Sequence, residues 1–296
     1  MCSPCSTESG LYDAAPAARI GDPLCGGGRW RMPVSSTRAG DVSQWGAAYG
    51  ASFAGLCAGT IDDVLGDVDG GRLLDVGCGT GGLVETALAR GIDTYGVDAD
   101  AESLVLASRS GPGRLCQGRL PQLPFADGSF ETVTANFVIN HVRQPRSAAT
   151  ELARITAPGG RVVATIWPAG RTEWGGLMAD VFAAAAVVPL EGGRLPEGED
   201  FELSCGGLAG LLRGAGLRVT AAREIEWVWH TTPRALWSGV AGGVATVGRT
   251  YLAQAPAVQR RVKEEFFARV GSGGRDSEVA FISTAVYVAT VAACSV

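Results

Sequence analysis

The residues best suited to chemistry lie in one short stretch, Leu73-Leu74-Asp75-Val76-Gly77-Cys78-Gly79-Thr80-Gly81-Gly82. An apolar run ends in a glycine loop, and the loop opens a segment of helical character. Glycines in such a turn let the backbone bend tightly and let a ligand approach the main chain. A second carboxylate, Asp98, follows Gly77 by 21 residues. At that spacing an acidic side chain ends the next strand and can accept both hydroxyls of an adenosine ribose. Gly77, Gly79 and Gly82 also satisfy the GxGxxG pattern of dinucleotide sites, so an NAD(P)-dependent oxidoreductase is one reading. Asp75 speaks against it. A pyrophosphate at a helix N-terminus is doubly anionic, and a carboxylate two residues before the first glycine repels it. A cationic ligand is attracted by the same carboxylate, unless Asp75 merely caps the turn.

S-adenosylmethionine (SAM) carries an α-amino group and a sulfonium and no phosphate, so it suits an acidic residue beside the loop. Methyl transfer from a sulfonium is an in-line displacement that needs a held nucleophile and the exclusion of water. A hydroxyl acceptor also needs a base. The chain has two histidines, His141 and His230. His141 follows an apolar run at the carboxyl end of a strand, where open α/β sheets put their ligands. It is the first candidate base, with a structural role as the alternative. His230, in Trp227-Val228-Trp229-His230, is a weaker candidate, or a surface residue at a strand end. Trp30, Trp45, Trp174, Trp227, Trp229 and Trp237, with Tyr49 and Phe201, either line an apolar pocket for a hydrophobic or aromatic acceptor or pack cores.

The elements that must position these residues follow from periodicity. Trp45, Tyr49, Phe53, Leu56, Ile61 and Leu65 recur at helical spacing and predict one or two amphipathic helices. Strands are expected at Arg72–Val76, Thr94–Val97, Arg114–Gln117, Glu131–Phe137 and Arg161–Trp167. Helices are expected at Thr80–Arg90, Asp100–Ser108 (with Asp100 as N-cap) and Pro145–Thr156. Beyond them come a helix at Glu173–Val188, a helix at Leu203–Ala215, a strand at Leu217–Trp229, a mainly helical run at Pro233–Val270 and a strand at Phe281–Ala293. The alternation means βαβ units: a mostly parallel sheet with helices on both faces. Residues 1–40, with Pro4, Pro16, Pro23, Pro33 and three consecutive glycines, read as a flexible extension.

Four segments resemble class I SAM-dependent methyltransferases, of the small-molecule branch, in the family's order: LLDVGCGTG, YGVDAD, LPFADGSFETVTANFVINHV and ITAPGGRVVATIW. The resemblance covers about residues 43–167, which would form the SAM-binding core of a domain spanning 41–296. Residues 168–296 would supply an acceptor-side cap and the final strands. It implies a Rossmann-like seven-stranded sheet, mostly parallel with one antiparallel edge hairpin, and a small helical cap. It implies Asp75 near the methionine amino group, Gly77, Gly79 and Gly81 under the ligand, Asp98 on the ribose and Ala99 on the adenine. Asn136 would hold the amino group through its backbone carbonyl. Tyr49 lies on a helix that in this family often closes over SAM, though plain packing serves it equally. Many relatives carry an Asp before the LPF loop that accepts from the adenine. Here Gly118-Arg119-Leu120 stands there, and arginine has no acceptor. The adenine is then held by the backbone of Arg119 and Leu120 or by guanidinium stacking. The implied activity is O-, N- or C-methylation of a small molecule, by analogy in specialised metabolism. A SAM-binding protein without catalysis is the alternative outside enzymes.

Bulk properties bound these readings. The chain has 296 residues, 46% apolar, enough for one large α/β domain. With 25 Lys and Arg against 30 Asp and Glu, the net charge is -5. No basic patch points to nucleic acid. No apolar stretch reaches the roughly 20 residues that span a bilayer, and the first residues lack a secretory pattern. A cytoplasmic protein with reduced cysteines is expected, a homo-oligomer being allowed. Cys2, Cys5 and Cys25 lack a second ligand pair, so no metal site is expected.

Overall fold

The computed structural model describes residues 44–109, 114–170, 172–190, 195–270 and 273–294. The extension expected at 1–40, with Cys2, Cys5, Cys25 and Trp30, lies outside them. Seven strands form one sheet: β1 (Arg72–Val76), β2 (Asp93–Asp98), β3 (Leu115–Gln117), β4 (Phe130–Asn136), β5 (Thr156–Ile166), β6 (Arg218–Thr231) and β7 (Val279–Val291). Their order is β3-β2-β1-β4-β5-β7-β6. The first five pair in parallel, while β7 runs antiparallel to both β5 and β6. The strand order reverses between β1 and β4, the topological switch where open α/β sheets bind ligands at their carboxyl ends.

Strand period two sorts the core into two faces. Leu74, Val76, Val133, Ala135, Val162, Ala164, Val286 and Val288 face one way. There they meet Leu152 and Ile155 of α6 (Pro145–Ile155) and Leu208 and Leu212 of α8 (Cys205–Gly214). Leu73, Val163, Ile225, Tyr287 and Ala289 face the other way. They meet Ile61, Val64 and Leu65 of α3 (Ile61–Gly66) and Leu83 and Ala87 of α4 (Gly82–Ala89). Both faces are covered, as a parallel sheet requires. Helix α5 (Ala101–Ala107) starts at Asp100, whose carboxylate accepts from the Ser103 amide at 3.0 Å.

A third apolar cluster forms the helical cap. It joins Ala48 of α1 (Gln44–Ala51), Phe53 and Leu56 of α2 (Phe53–Ala58) and Met178 and Val181 of α7 (Glu173–Ala184). Leu236 and Val240 of α9 (Pro233–Ala241), Val262 and Phe266 of α11 (Pro256–Val270) and Trp229 of β6 complete it.

Several boundaries differ from expectation for identifiable reasons. The run at 233–270 is three helices, because Gly243 turns at φ +77° before α10 (Ala245–Leu252) and Pro256 starts α11. The leading amphipathic segment is three short helices. Strand β5 begins at Thr156 and runs through Pro158-Gly159-Gly160, where its register against β4 shifts. Such a bulge accommodates a glycine with positive φ, here Gly159 at +75°.

Candidate functional site

The glycine loop joins β1 to α4 at the carboxyl edge of the sheet. Gly77 has φ +71°, and a Cβ there would stand 2.4 Å from Val138. At Gly81, φ +90°, a Cβ would stand 2.9 Å from Ala107. These two glycines admit neighbouring elements rather than open space. Gly79 is different, since a Cβ there would only touch the Tyr49 ring, at 3.7 Å. Its amide donates to Asp98 Oδ2 at 2.8 Å, and the Asp100 amide donates to Asp98 Oδ1 at 2.8 Å. Asp98 thus braces the loop while each of its oxygens keeps a further lone pair. Burial pushes its carboxyl above the usual carboxylate range, against the pull of those two amides.

Asp75 is 3% exposed. It pairs in register with Thr134 on the same face of the sheet, and the Thr134 hydroxyl donates to its Oδ1 at 2.7 Å. Burial raises its pKa to about 7, and the Asp98 charge adds to the rise that Thr134 opposes. No basic side chain among the described residues offsets it. The carboxylate borders a recess of about 60 Å³ shared with Tyr49, Cys57, Gly77, Thr80 and Asn136. A buried carboxylate without a counter-charge is a costly arrangement that a cationic ligand relieves. The donor set therefore fits the amino group of SAM. The recess is small against the ~300 Å³ or more of ordinary ligand pockets, and the Tyr49 ring lies over Gly79 on its wall.

Tyr49 and the Cys57 thiol share a hydrogen bond, and burial followed by Cys57 raises the tyrosine pKa well above the ordinary value. Burial likewise lifts Cys57 to about 11. Asn136, at the end of β4, ties this lining together. Its Oδ1 accepts from Thr60 at 2.9 Å and from Thr165 at 2.5 Å, and its Nδ2 donates to the Cys57 carbonyl at 3.4 Å. Thr60, Thr134 and Thr165 escaped the sequence reading. The alternation Thr132, Thr134, Asn136 on one strand face was the signal available for Thr134.

The other expected residues take varied places. Ala99 accepts from Gln117 Nε2 at 3.0 Å through its carbonyl. Arg119 is exposed and forms a tight turn with Gln122, and Leu120 precedes a cis peptide to Pro121. His141 closes a 3-10 turn (Ile139–His141) after β4. The residue as a whole is more than a third exposed, yet burial of its imidazole among neighbouring atoms, then the charge of Arg249 on α10, lowers its pKa. His230 sits apart on β6, 57% exposed and paired with Glu278 at 3.1 Å. Trp45 stacks on Tyr49 at 5.5 Å. Trp237 packs among Tyr251, Phe266 and Phe267, and Phe201 against the opposite face of the sheet, so both serve cores.

With this geometry in place, comparison with known proteins becomes informative. A family model described as a methyltransferase domain matches residues 74–164. A methyltransferase of Mycobacterium tuberculosis without assigned substrate is 32% identical over 177 residues, 55% of this chain and 70% of that protein. The demethylmenaquinone methyltransferase of Renibacterium salmoninarum is 38% identical over 104 residues, 35% of this chain and 44% of that one. The crystal structure of YcgJ from Bacillus superposes with a TM-score of 0.49 at 19% identity, over 81% of this chain and 99% of that one. This chain belongs to the class I SAM-dependent methyltransferases. It spans less than half the length of the demethylmenaquinone methyltransferases it matches.

Proposed function

We propose that the protein binds SAM over the β1–α4 glycine loop and moves its methyl group to a small-molecule acceptor. The observation that carries this reading is Asp75: a buried carboxylate, without a counter-charge among the described residues, on the wall of a recess at the topological switch point. SAM, when bound, supplies an electrophilic methyl group. Asp75 would hold its amino group and Asp98 its ribose hydroxyls, beside the Gly79 amide that already bonds Asp98. Gly77 and Gly81 would shape the loop, and the Asn136 backbone would close the amino-group site. Ala99, Arg119 and Leu120 would border the adenine through their backbone. Tyr49 would cover the cofactor and exclude water.

His141 would take a proton from the acceptor. The lowered pKa keeps its imidazole neutral, and so able to accept, at neutral pH. His230, engaged with Glu278, keeps the weaker claim. The relatives named for demethylmenaquinone make an apolar small molecule the first class to test as acceptor. Calorimetric titration of purified protein with SAM, S-adenosylhomocysteine (SAH) and NAD tests the cofactor reading: tight SAM and SAH binding is expected, and binding of NAD alone overturns it. Conversion of SAM to SAH with candidate acceptors separates an enzyme from a non-catalytic binder.

A further inference from the structure

Beside the recess, at the carboxyl ends of β4, β5 and β6, three aromatic rings converge. Phe137 directly follows Asn136 with φ +58°. Bulky residues adopt this left-handed backbone at a cost, and such strain concentrates at functional sites. The Phe137 amide is fastened by the Thr165 carbonyl at 3.1 Å and hydroxyl at 3.0 Å. Its ring consequently lies on Trp167, with centroids 3.9 Å apart and planes 16° from parallel. Trp227 closes a third side, 6.1 Å from Trp167 and 6.3 Å from Phe137. Trp167 and Trp227 are only partly buried.

Packing alone explains the rings but not two polar atoms among them. Trp227 Nε1 and Ser283 Oγ are buried and have no hydrogen-bond partner among the described residues. Trp227 and Ser283 pair directly across β6 and β7, so both side chains stand on one face. Unsatisfied buried polar atoms are uncommon, and each needs an account. Helix α2 roofs this place with glycine backbone. A Cβ on Gly59 would stand 2.2 Å from Trp227 Nε1, and one on Gly55 3.6 Å from Trp229 Nε1.

We infer that Phe137, Trp167 and Trp227 form the acceptor subsite, which seats a flat aromatic molecule whose oxygen accepts hydrogen bonds from Trp227 Nε1 and Ser283 Oγ. Entry shifts the end of α2 away from the indole edge. Ring faces stack against the acceptor in offset geometry, and the two donors select oxygen-bearing rings over bare hydrocarbons. The inference rests on the methyl-transfer reading, which the SAH-free arm of its test does not need.

The test titrates the full chain, with and without excess SAH, with ethylnaphthalene and acetylnaphthalene. The two probes share shape and differ in one carbonyl oxygen. Acetylnaphthalene is expected to bind about tenfold tighter, the worth of a made hydrogen bond inside a protein. Ser283→Ala should shrink that preference to about threefold or less while SAH and ethylnaphthalene affinities hold, and Trp227→Phe should shrink it likewise while SAH affinity holds. Trp167→Leu should weaken both probes together. Equal binding of the two probes, binding of neither, or an unchanged preference in both donor variants overturns the subsite. SAH binding without probe binding overturns the subsite alone. Probe preference without SAH binding overturns the cofactor reading alone.

Discussion

Asp75 and Asp98 are one strand apart and do different work. Asp98 is already bonded by two amides, and what it has left is lone pairs for hydroxyls. Asp98→Ala is expected to weaken SAH binding by about 1–3 kcal/mol, the worth of charge-assisted bonds, read by calorimetry. Asp75 has one hydroxyl partner and, among the described residues, no counter-charge, so its proton inventory is linked to ligand. Its folded pKa of about 7 lies above the 3.8 of an ordinary aspartate. Between these values the folded protein holds a proton that the unfolded chain releases, so this group's stabilisation is lost as pH rises toward 7. A cationic ligand favours the ionised form. SAM affinity should therefore rise as pH climbs through about 7, and Asp75→Asn should flatten both the affinity and the stability profile. A profile of unchanged steepness in the variant would remove Asp75 from the site. For His141, as the proposed base, the lowered pKa predicts an acid limb of kcat below the ordinary imidazole range. His141→Ala should abolish that limb and reduce kcat more than SAM affinity, in a steady-state pH series.

At the scale of elements, α2 is the piece that joins cofactor wall and aromatic cluster. One side of it, with Ala54, Cys57 and Ala58, borders the recess, while Gly55 and Gly59 lie on the indoles of β6. Gly59→Ala places a methyl group where the Trp227 ring stands. A loss of about 1–3 kcal/mol in unfolding free energy is expected from overpacking of this kind, measured by urea denaturation. A neutral substitution would show that α2 does not dock as described. The asparagine at the end of β4 works at the same scale, since its amide links β5 through Thr165 to α2 through Thr60 and Cys57.

Across the whole molecule, the cap cluster joins α1 and α2, which precede the sheet, to α7, α9 and α11, which follow most of it. Ligand bound beneath α1 is thereby coupled to global unfolding. SAH at about one hundred times its Kd should stabilise the fold by about 2.7 kcal/mol, visible as a rise in Tm. Asp98→Ala at the same SAH concentration should show a smaller rise. No rise in the parent protein would mean that SAH has no preference for the folded state.

From sequence, strand β1 was legible to the residue and β2 to within one at each end, because continuous apolar runs bounded by glycine admit few readings. The glycine loop and both of its carboxylates were legible because the chemistry sits in one contiguous stretch with fixed spacing. Helix breaks at Gly243 and Pro256 were present as residues, but helical periodicity passes over them. Which hydroxyl meets Asp75, which threonines fasten Asn136 and which rings meet across β4, β5 and β6 depend on strand register. The separation of 59 positions between Asp75 and Thr134 carries no trace of it. The chain alone decided the order of elements and the charge at the loop, since both are local. The closing of α1 over the loop and the meeting of Phe137 with Trp167 were decided by tertiary packing, where burial of distant apolar faces outweighs any local preference.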